Sequence, residues 1–369
     1  VSTSTPTARR APSGLQSVWL VAEREIGSKL RSKSFVISTL ILFALTLVAI
    51  VWGSIAAQNA GGTPVAVTSQ TASAVSGIDG VEPTEAGSAD EAIALVEDGT
   101  VDAALVPDDG AGDFDYKIVA DDSAPGALVS LLSVSPTVEL LNPDETDGLL
   151  RYLVSIGFGI LFFGAAMTFG STIAASVVEE KQTRVVEILI SAIPVRALLA
   201  GKVIGNTILA MAQVVGLAAI AVIGLAVTGQ SALLQGLGAA VIWFAIFFLF
   251  GFVLLAALFS AAAAMVSRQE DIGATTTPLI FLVMAPYMLV IFFNDNPLVM
   301  TIMSYVPFSA AVGMPVRLFL GEAQWWEPLL SLVILLATCV AAILLGARIY
   351  QNSLLRMGAR VKLGEALRG

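Results

Sequence analysis

The chain has 369 residues, of which 56% are hydrophobic and only 13% charged, with a formal net charge of −10. Soluble domains carry about 25% charged residues, so the composition excludes an ordinary water-soluble globule. The absence of histidine removes the commonest general base and metal ligand, and the single cysteine, Cys339, excludes an internal disulfide.

Residues 1–13 (VSTSTPTARRAPS) read as a disordered, polar, basic tail. No apolar core follows directly, so this is not a signal peptide, and the first span serves as the insertion signal. Val1 reads as an alternative start codon, and the Ala/Val/Gly-rich bias points to a bacterium of high G+C content. An amphipathic interfacial helix is expected over 14–34. Leu15, Val18, Trp19, Ala22, Ile26 and Leu30 fall at helical spacing, with Glu23, Arg24, Lys29, Arg31 and Lys33 off that stripe. The uncharged run 35–56 is long enough to cross a ~30 Å hydrocarbon core as a helix.

Residues 57–148 are polar and acidic; 57–150 hold 18 Asp/Glu and one basic residue, Lys117, whereas the remainder is net basic. Strand signals at Val65–Thr68, Val101–Val106 and Phe114–Ala120, with helices at Ala89–Glu97 and from Pro125 to about Leu141, predict a small α+β domain. Five more spans are expected within 149–350, near 149–178, 203–227, 238–266, 275–293 and 328–350, followed by a cytoplasmic tail over 351–369. The fold class is therefore membrane α-helical: six transmembrane helices, with an α+β extracytoplasmic domain between spans one and two.

Orientation follows from basic residues near the span ends. They cluster before span one, after span two (Lys181, Arg184, Arg196, Lys202), after span four (Arg268) and in the tail. This alternation predicts a multi-pass protein of a bacterial plasma membrane, with both termini cytoplasmic and the acidic domain outside.

Several chemistries are missing. Gly201-Lys202 lacks the spacing of a phosphate-binding loop, so the chain does not bind ATP by that route. No Asp or Glu sits in the middle of a span, which argues against a proton- or sodium-driven carrier. Asp108, Asp109, Asp113 and Asp115 lack the order of a calcium loop and read as a solvated acidic surface, not a metal site.

The informative segment is 177–202, VVEEKQTRVVEILISAIPVRALLAGK. Glu179, Glu180, Lys181, Arg184 and Glu187 form a mixed-sign helical surface, with Glu180 and Arg184 at i,i+4. Val186, Ile188, Leu189 and Ile190 follow, Pro194 breaks the helix, and a second short helix, Val195–Lys202, leads into span three. On residues alone, a helix that docks into a partner's groove and a solvated loop with chance ion pairs are equally good readings.

This segment resembles the signature loop of ABC-2-type permeases, in the subgroup that includes sodium-extrusion permeases. The elements stand in order as Glu179-Glu180-Lys181, Arg184, Glu187, Ile188–Ile190, Pro194, and Leu198 through Gly201-Lys202. The topology is similar too: a surface helix, one span, a large external domain, then five spans. Ser304–Phe308 and Met314–Arg317 are similar to a partly re-entrant external hairpin before the last span. The resemblance implies the permease subunit of an exporter. A separate ABC ATPase subunit, carrying ATP and magnesium, docks on the cytoplasmic loops, and the chain itself has no catalytic residue, cofactor or nucleic-acid partner. Two permeases, identical or related, pair in the working unit. The coupling helix is about Glu180–Ser191, with Glu179, Glu180, Lys181, Arg184, Glu187, Ile188 and Leu189 as coupling residues. Loss of charge at Glu180 or Glu187 is expected to weaken coupling, not folding.

Other features carry two readings. Asn206 and Gln213, seven apart, either line a polar path or make an interhelical hydrogen bond, the second being the commoner arrangement. Gly201 and Gly205 permit close helix approach, within the chain more often than at a dimer seam. Arg151 is expected to pair with Asp144, Glu145 or Asp147. In the external hairpin 294–327, Trp325 and Trp326 read as interface anchors, and Pro307, Phe308 and Pro315 as an outer gate. Two rivals are a membrane-anchored sensor with an external ligand-binding domain, which leaves five spans unexplained, and a secondary transporter. Membrane lipid is a partner under every reading.

Overall fold

The computed structural model describes residues 13–58, 62–78, 80–108, 115–121, 128–129, 132, 148–229, 231–354, 356 and 361–368. The tail over 1–12, most of the helix expected from Pro125, and Asp109, Asp113, Asp144, Glu145 and Asp147 lie outside the described residues. The chain divides into two compact units, one of 1–48 with 144–369 and one of 49–143.

The first unit is helical. α1 covers Gly14–Leu30 and opens on a capping box between Ser13 and Gln16. α2 is Lys33–Gln58, its last part from residue 49 counted with the second unit; α5 is Gly148–Gln182, α6 Val185–Ala192 and α7 Val195–Val227. α8 is Ser231–Ala264, α9 Ile272–Phe292, α10 Pro297–Tyr305, α11 Ala310–Phe319, α12 Glu327–Ser353 and α13 Leu363–Arg368. (α3 and α4 belong to the second unit.) Among the described residues, six helices are long and apolar enough to cross a membrane: Lys33–Ile55, Leu150–Gln182, Val195–Val227, Leu237–Ala264, Gln269–Phe292 and Glu327–Ser353. The shortest has 23 residues, or about 35 Å at 1.5 Å per residue. The third begins eight residues before the expected Val203, because Val195–Lys202 and the span form one unbroken helix.

α8 is the central helix, packed against α5, α7, α11 and α12. Phe244, Phe248 and Phe252 recur every fourth residue and so form one ridge. Opposite them stand Phe158, Phe162 and Phe169 of α5, with ring centroids 4.7, 5.9 and 5.8 Å away. α12 comes close because Gly346 has no side chain; a methyl group there would lie 3.2 Å from the Ala257 carbonyl oxygen. α2 differs from its neighbours: none of its most hydropathic stretch is buried, against half of that in α5 and α8.

The second unit holds β1 (Thr63–Val67), α3 (Ala72–Val75), β2 (Val81–Glu85), α4 (Ala89–Glu97), β3 (Ala103–Pro107) and β4 (Tyr116–Val119). The strand order is β2-β1-β3-β4, parallel except for the antiparallel β3–β4 pair. Side chains alternate across the central strands. Val65, Val67, Ala103 and Leu105 pack with Val75 and Leu128, whereas Ala66, Ala104 and Val106 pack with Ala92 and Val96. With both faces covered, β1 and β3 read as continuous apolar runs. β2, VEPTE, is an exposed edge strand, where Pro83 is tolerated. Sequence reading missed it because it has neither alternation nor apolar content.

Candidate functional site

The site forms where α1, the end of α5, α6 and the start of α7 meet. α1 lies along α7. Ser17, Val21, Ala22 and Glu25 form its buried face, whereas Leu15, Trp19 and Leu30 of the expected apolar stripe are exposed, as is Leu20. The contact uses both glycines of Gly201-x-x-x-Gly205. A methyl group on Gly201 would lie 2.7 Å from the Val18 carbonyl oxygen, and one on Gly205 2.9 Å from that of Ala22. The motif thus serves packing within the chain.

This approach builds a buried ionic cluster. Lys202 Nζ lies 3.0 Å from Glu25 Oε1, 3.0 Å from Glu180 Oε2 and 2.7 Å from Ser176 Oγ. The Lys202–Glu180 contact is an ion pair without hydrogen-bond alignment. Arg24 donates to Glu180 Oε1 and lies 3.6 Å from Glu25. Lys29, beside the cluster, donates to Thr172 Oγ1 at 3.3 Å. Burial lowers its pKa, and the Glu25 carboxylate opposes that shift.

Lys181 is fully buried. Its Nζ donates to the Ala264 carbonyl at 2.8 Å and the Ser353 carbonyl at 2.9 Å. These carbonyls close α8 and α12, where unpaired carbonyls and the negative end of the helix dipole favour a cation. One lysine therefore ties the end of α5 to the ends of two other spans.

The expected single helix over Glu180–Ser191 is two elements. α5 ends at Gln182, and Arg184 takes a left-handed conformation (φ 59°), uncommon for a residue with a side chain, before α6 begins at Val185. The Glu180–Arg184 ion pair at i,i+4 is accordingly replaced by Glu180 pairing with Arg24 and Lys202. α6 is anchored through fully buried Val186, with Leu189 and Ile190 packed on the core. It leaves Glu187 exposed and Ile188 72% exposed, beside exposed Glu179 and Arg184. The signature residues thus divide into an inward set, Glu180, Lys181 and Lys202, and an outward set, Glu179, Arg184, Glu187 and Ile188.

Asn206 is buried and donates from Nδ2 to the Lys202 carbonyl of its own helix at 2.9 Å, not to a neighbouring helix. Its Oδ1 and Gln213 Oε1 are buried without hydrogen-bond partners among the described residues. Gln213 lines a cavity of about 260 Å³ with Ser38, Thr39 and Thr168; Asn206 does not line it.

The opposite end of the bundle carries a second charged layer. Arg317 Nη1 lies 2.6 Å from Glu327 Oε2 and donates to Ser304 Oγ at 3.0 Å. Ser331 Oγ donates to the Ser304 carbonyl at 2.6 Å. Arg151 pairs with Glu322 at 2.8 Å and donates to the Asn294 carbonyl at 3.0 Å. These bonds clamp the two short helices α10 and α11 to α5 and α12. Pro315 is buried inside α11, whereas Pro307 and Phe308 are half-buried in the turn before it. Trp325 and Trp326 are exposed. Among the described residues there is no group of three or more His, Cys, Asp or Glu that could hold a metal.

Six apolar helices of crossing length, with charged residues only at their ends, define a multi-pass α-helical membrane protein. The chain belongs to the ABC-2 family of transporters: the family described as "ABC-2 family transporter protein" matches residues 33–348. It is 30% identical over 227 residues to the uncharacterised protein YhaP of Bacillus subtilis, covering 58% of this chain and 54% of that one. It is 26% identical over 213 residues to the uncharacterised protein MJ1024 of Methanocaldococcus jannaschii, covering 57% and 52%. The chain thus spans about half the length of the curated relatives it matches. No solved structure matches it.

Proposed function

We propose that the chain is the permease subunit of an ATP-driven exporter, moving substrate outward with ATP hydrolysed by a separate ABC ATPase that binds ATP and Mg²⁺. The observation that carries this reading is α6, anchored by Val186 yet presenting Glu187 and Ile188 outward beside Glu179 and Arg184. Charge for orientation next to an exposed apolar side chain suits docking to a partner. The working unit pairs the chain with a second copy or a related permease and two ATPases. It sits in a bacterial plasma membrane with both termini cytoplasmic and the acidic domain over 57–148 outside; the alternation of basic residues supports this orientation.

In this mechanism ATPase closure pushes α6. Its neighbour α5 is tied by Lys181 to α8 and α12 and by Glu180 to Lys202 of α7. A displacement at α6 therefore reaches four spans through polar links instead of dissipating in a loop. Asn206 and Gln213 supply polar atoms along the pathway, and the turn at Pro307 and Phe308 with Pro315 forms the outer gate. The likeness of 177–202 to sodium-extrusion permeases makes cations the first cargo to assay, ahead of lipid-like and antimicrobial compounds. The test is ATPase stimulation in reconstituted vesicles. Glu187→Ala with Ile188→Ala should abolish it, and normal stimulation by that variant would overturn the docking assignment.

A further inference from the structure

A groove of about 910 Å³ opens between α7, α8 and α12, away from the ionic cluster and the hairpin. Its walls are mostly apolar, formed by Val203, Ile204 and Ile208 of α7, Leu249 and Val253 of α8, and Leu344 of α12; the hydroxyl of Thr207, which also lines it, is taken up by the Val203 carbonyl of its own helix at 2.7 Å. The charged and amide side chains gather at one end. Arg196 stands at the start of α7, and Arg348 and Gln351 near the end of α12. The ends coincide because successive spans run in opposite directions.

From Arg196 to Ile208 the groove follows α7 for about 18 Å at 1.5 Å per residue, on the order of one leaflet of a ~30 Å hydrocarbon core. Ile204, Ile208 and Leu344 remain substantially exposed, so the groove is open along its length. Among the described residues no Asp or Glu lines it. Neither Arg196 nor Arg348 forms an ion pair among the described residues, although Arg24, Arg151, Arg268 and Arg317 all do. An apolar channel one leaflet long, headed by two uncompensated guanidinium groups, complements one kind of molecule: an anion with a long hydrocarbon tail. Guanidinium groups bind phosphate through paired N–H donors.

We propose that this groove seats one anionic phospholipid, its acyl chain along Ile204, Ile208 and Leu344 and its phosphate at the Arg196/Arg348 end. The assignment requires only that the chain lies in a membrane, so it stands or falls separately from the exporter reading. The site would make the junction of α7, α8 and α12 sensitive to lipid composition.

The full chain is extracted from vesicles containing equal parts phosphatidylglycerol and phosphatidylcholine, and retained lipid is read by native mass spectrometry. The unaltered chain should retain one phosphatidylglycerol. R196Q/R348Q should retain it on the order of thirtyfold less, from about 1 kcal/mol per basic residue near an anionic lipid surface. Leu344→Trp, which fills the apolar wall and leaves both arginines, should lose it as well. Inorganic phosphate should not displace it. Equal retention by R196Q/R348Q would overturn the proposal, as would displacement by inorganic phosphate, which would indicate a bare anion site. So would a disulfide between two Leu344→Cys copies in a Cys339→Ala background, which would place a second protein chain over the groove.

Discussion

Lys202 Nζ and Glu180 Oε2 stand 3.0 Å apart inside the protein, joining the start of one membrane span to the end of another. Lys202 is completely buried and Glu180 nearly so. Both residues belong to the segment whose charge pattern resembles a partner-docking loop, yet both face inward. Glu180→Ala should therefore damage the fold. It leaves the buried Lys202 ammonium with Glu25 as its one remaining carboxylate among the described residues, a loss of about 3 kcal/mol. Unfolding in mild detergent, without any ATPase present, should show a clear drop in midpoint; an unchanged midpoint would remove the cluster from the structural account.

Glu187 and Ile188 should behave in the opposite way. Both are exposed, so the double alanine variant should change stability by no more than about 0.5 kcal/mol. Only partner binding and ATPase stimulation should fall. The contrast between Glu180→Ala and Glu187→Ala separates a structural carboxylate from a docking one within eight residues of chain.

The α1–α7 seam tolerates no added bulk. Gly205→Val should force α1 outward, because even a methyl group would lie 2.9 Å from the Ala22 carbonyl and 3.0 Å from Glu25 Cβ. Overpacking of this kind costs about 1–3 kcal/mol. The displaced helix should also make a cysteine placed at Ser17, buried in the native chain, reactive toward a soluble thiol reagent.

At the other end, Arg317 and Glu327 should show strong energetic coupling. Arg317→Met alone strands a nearly buried carboxylate and should cost about 3 kcal/mol. Adding Glu327→Met should recover much of that loss, which a double-mutant cycle reads directly. Additive single effects would mean that the pair does not act as a unit.

In the 49–143 unit, Thr71 Oγ1 donates to the Leu105 carbonyl at 2.8 Å and accepts from Thr68 N at 3.0 Å. Thr71→Val removes both bonds in a buried setting, a loss of about 1–3 kcal/mol. Limited proteolysis of the full chain should then cut within 62–121 sooner than in the unaltered protein.

The spans were legible in the sequence because an uncharged run of about 20 residues leaves a helix few alternatives in a membrane. The central strands were legible for a similar reason, as short β-branched and apolar runs. β2 was not, since an edge strand buries little and its VEPTE sequence advertises a turn as readily as a strand. The ionic cluster was hidden by distance along the chain. Arg24 and Glu180 are 156 residues apart, and Glu25 and Lys202 are 177 apart. Yet the inward turn of Lys181 left a trace: Ala174, Val177, Val178 and Lys181 recur at three- and four-residue spacing, and all are buried on one face of α5. The break at Arg184 left none, because arginine does not announce a left-handed conformation. Family likeness singled out the segment, but which of its charges turn inward depends on how α1 packs, and no motif records that.

The most direct test of the exporter account is a mild-detergent pull-down of the tagged full chain from its own membranes, with mass spectrometry of what accompanies it. The account predicts a stoichiometric ABC ATPase that is lost with Glu187→Ala/Ile188→Ala while the chain stays folded. Recovery of the chain without an ATPase, or with one whose binding ignores those substitutions, would contradict it.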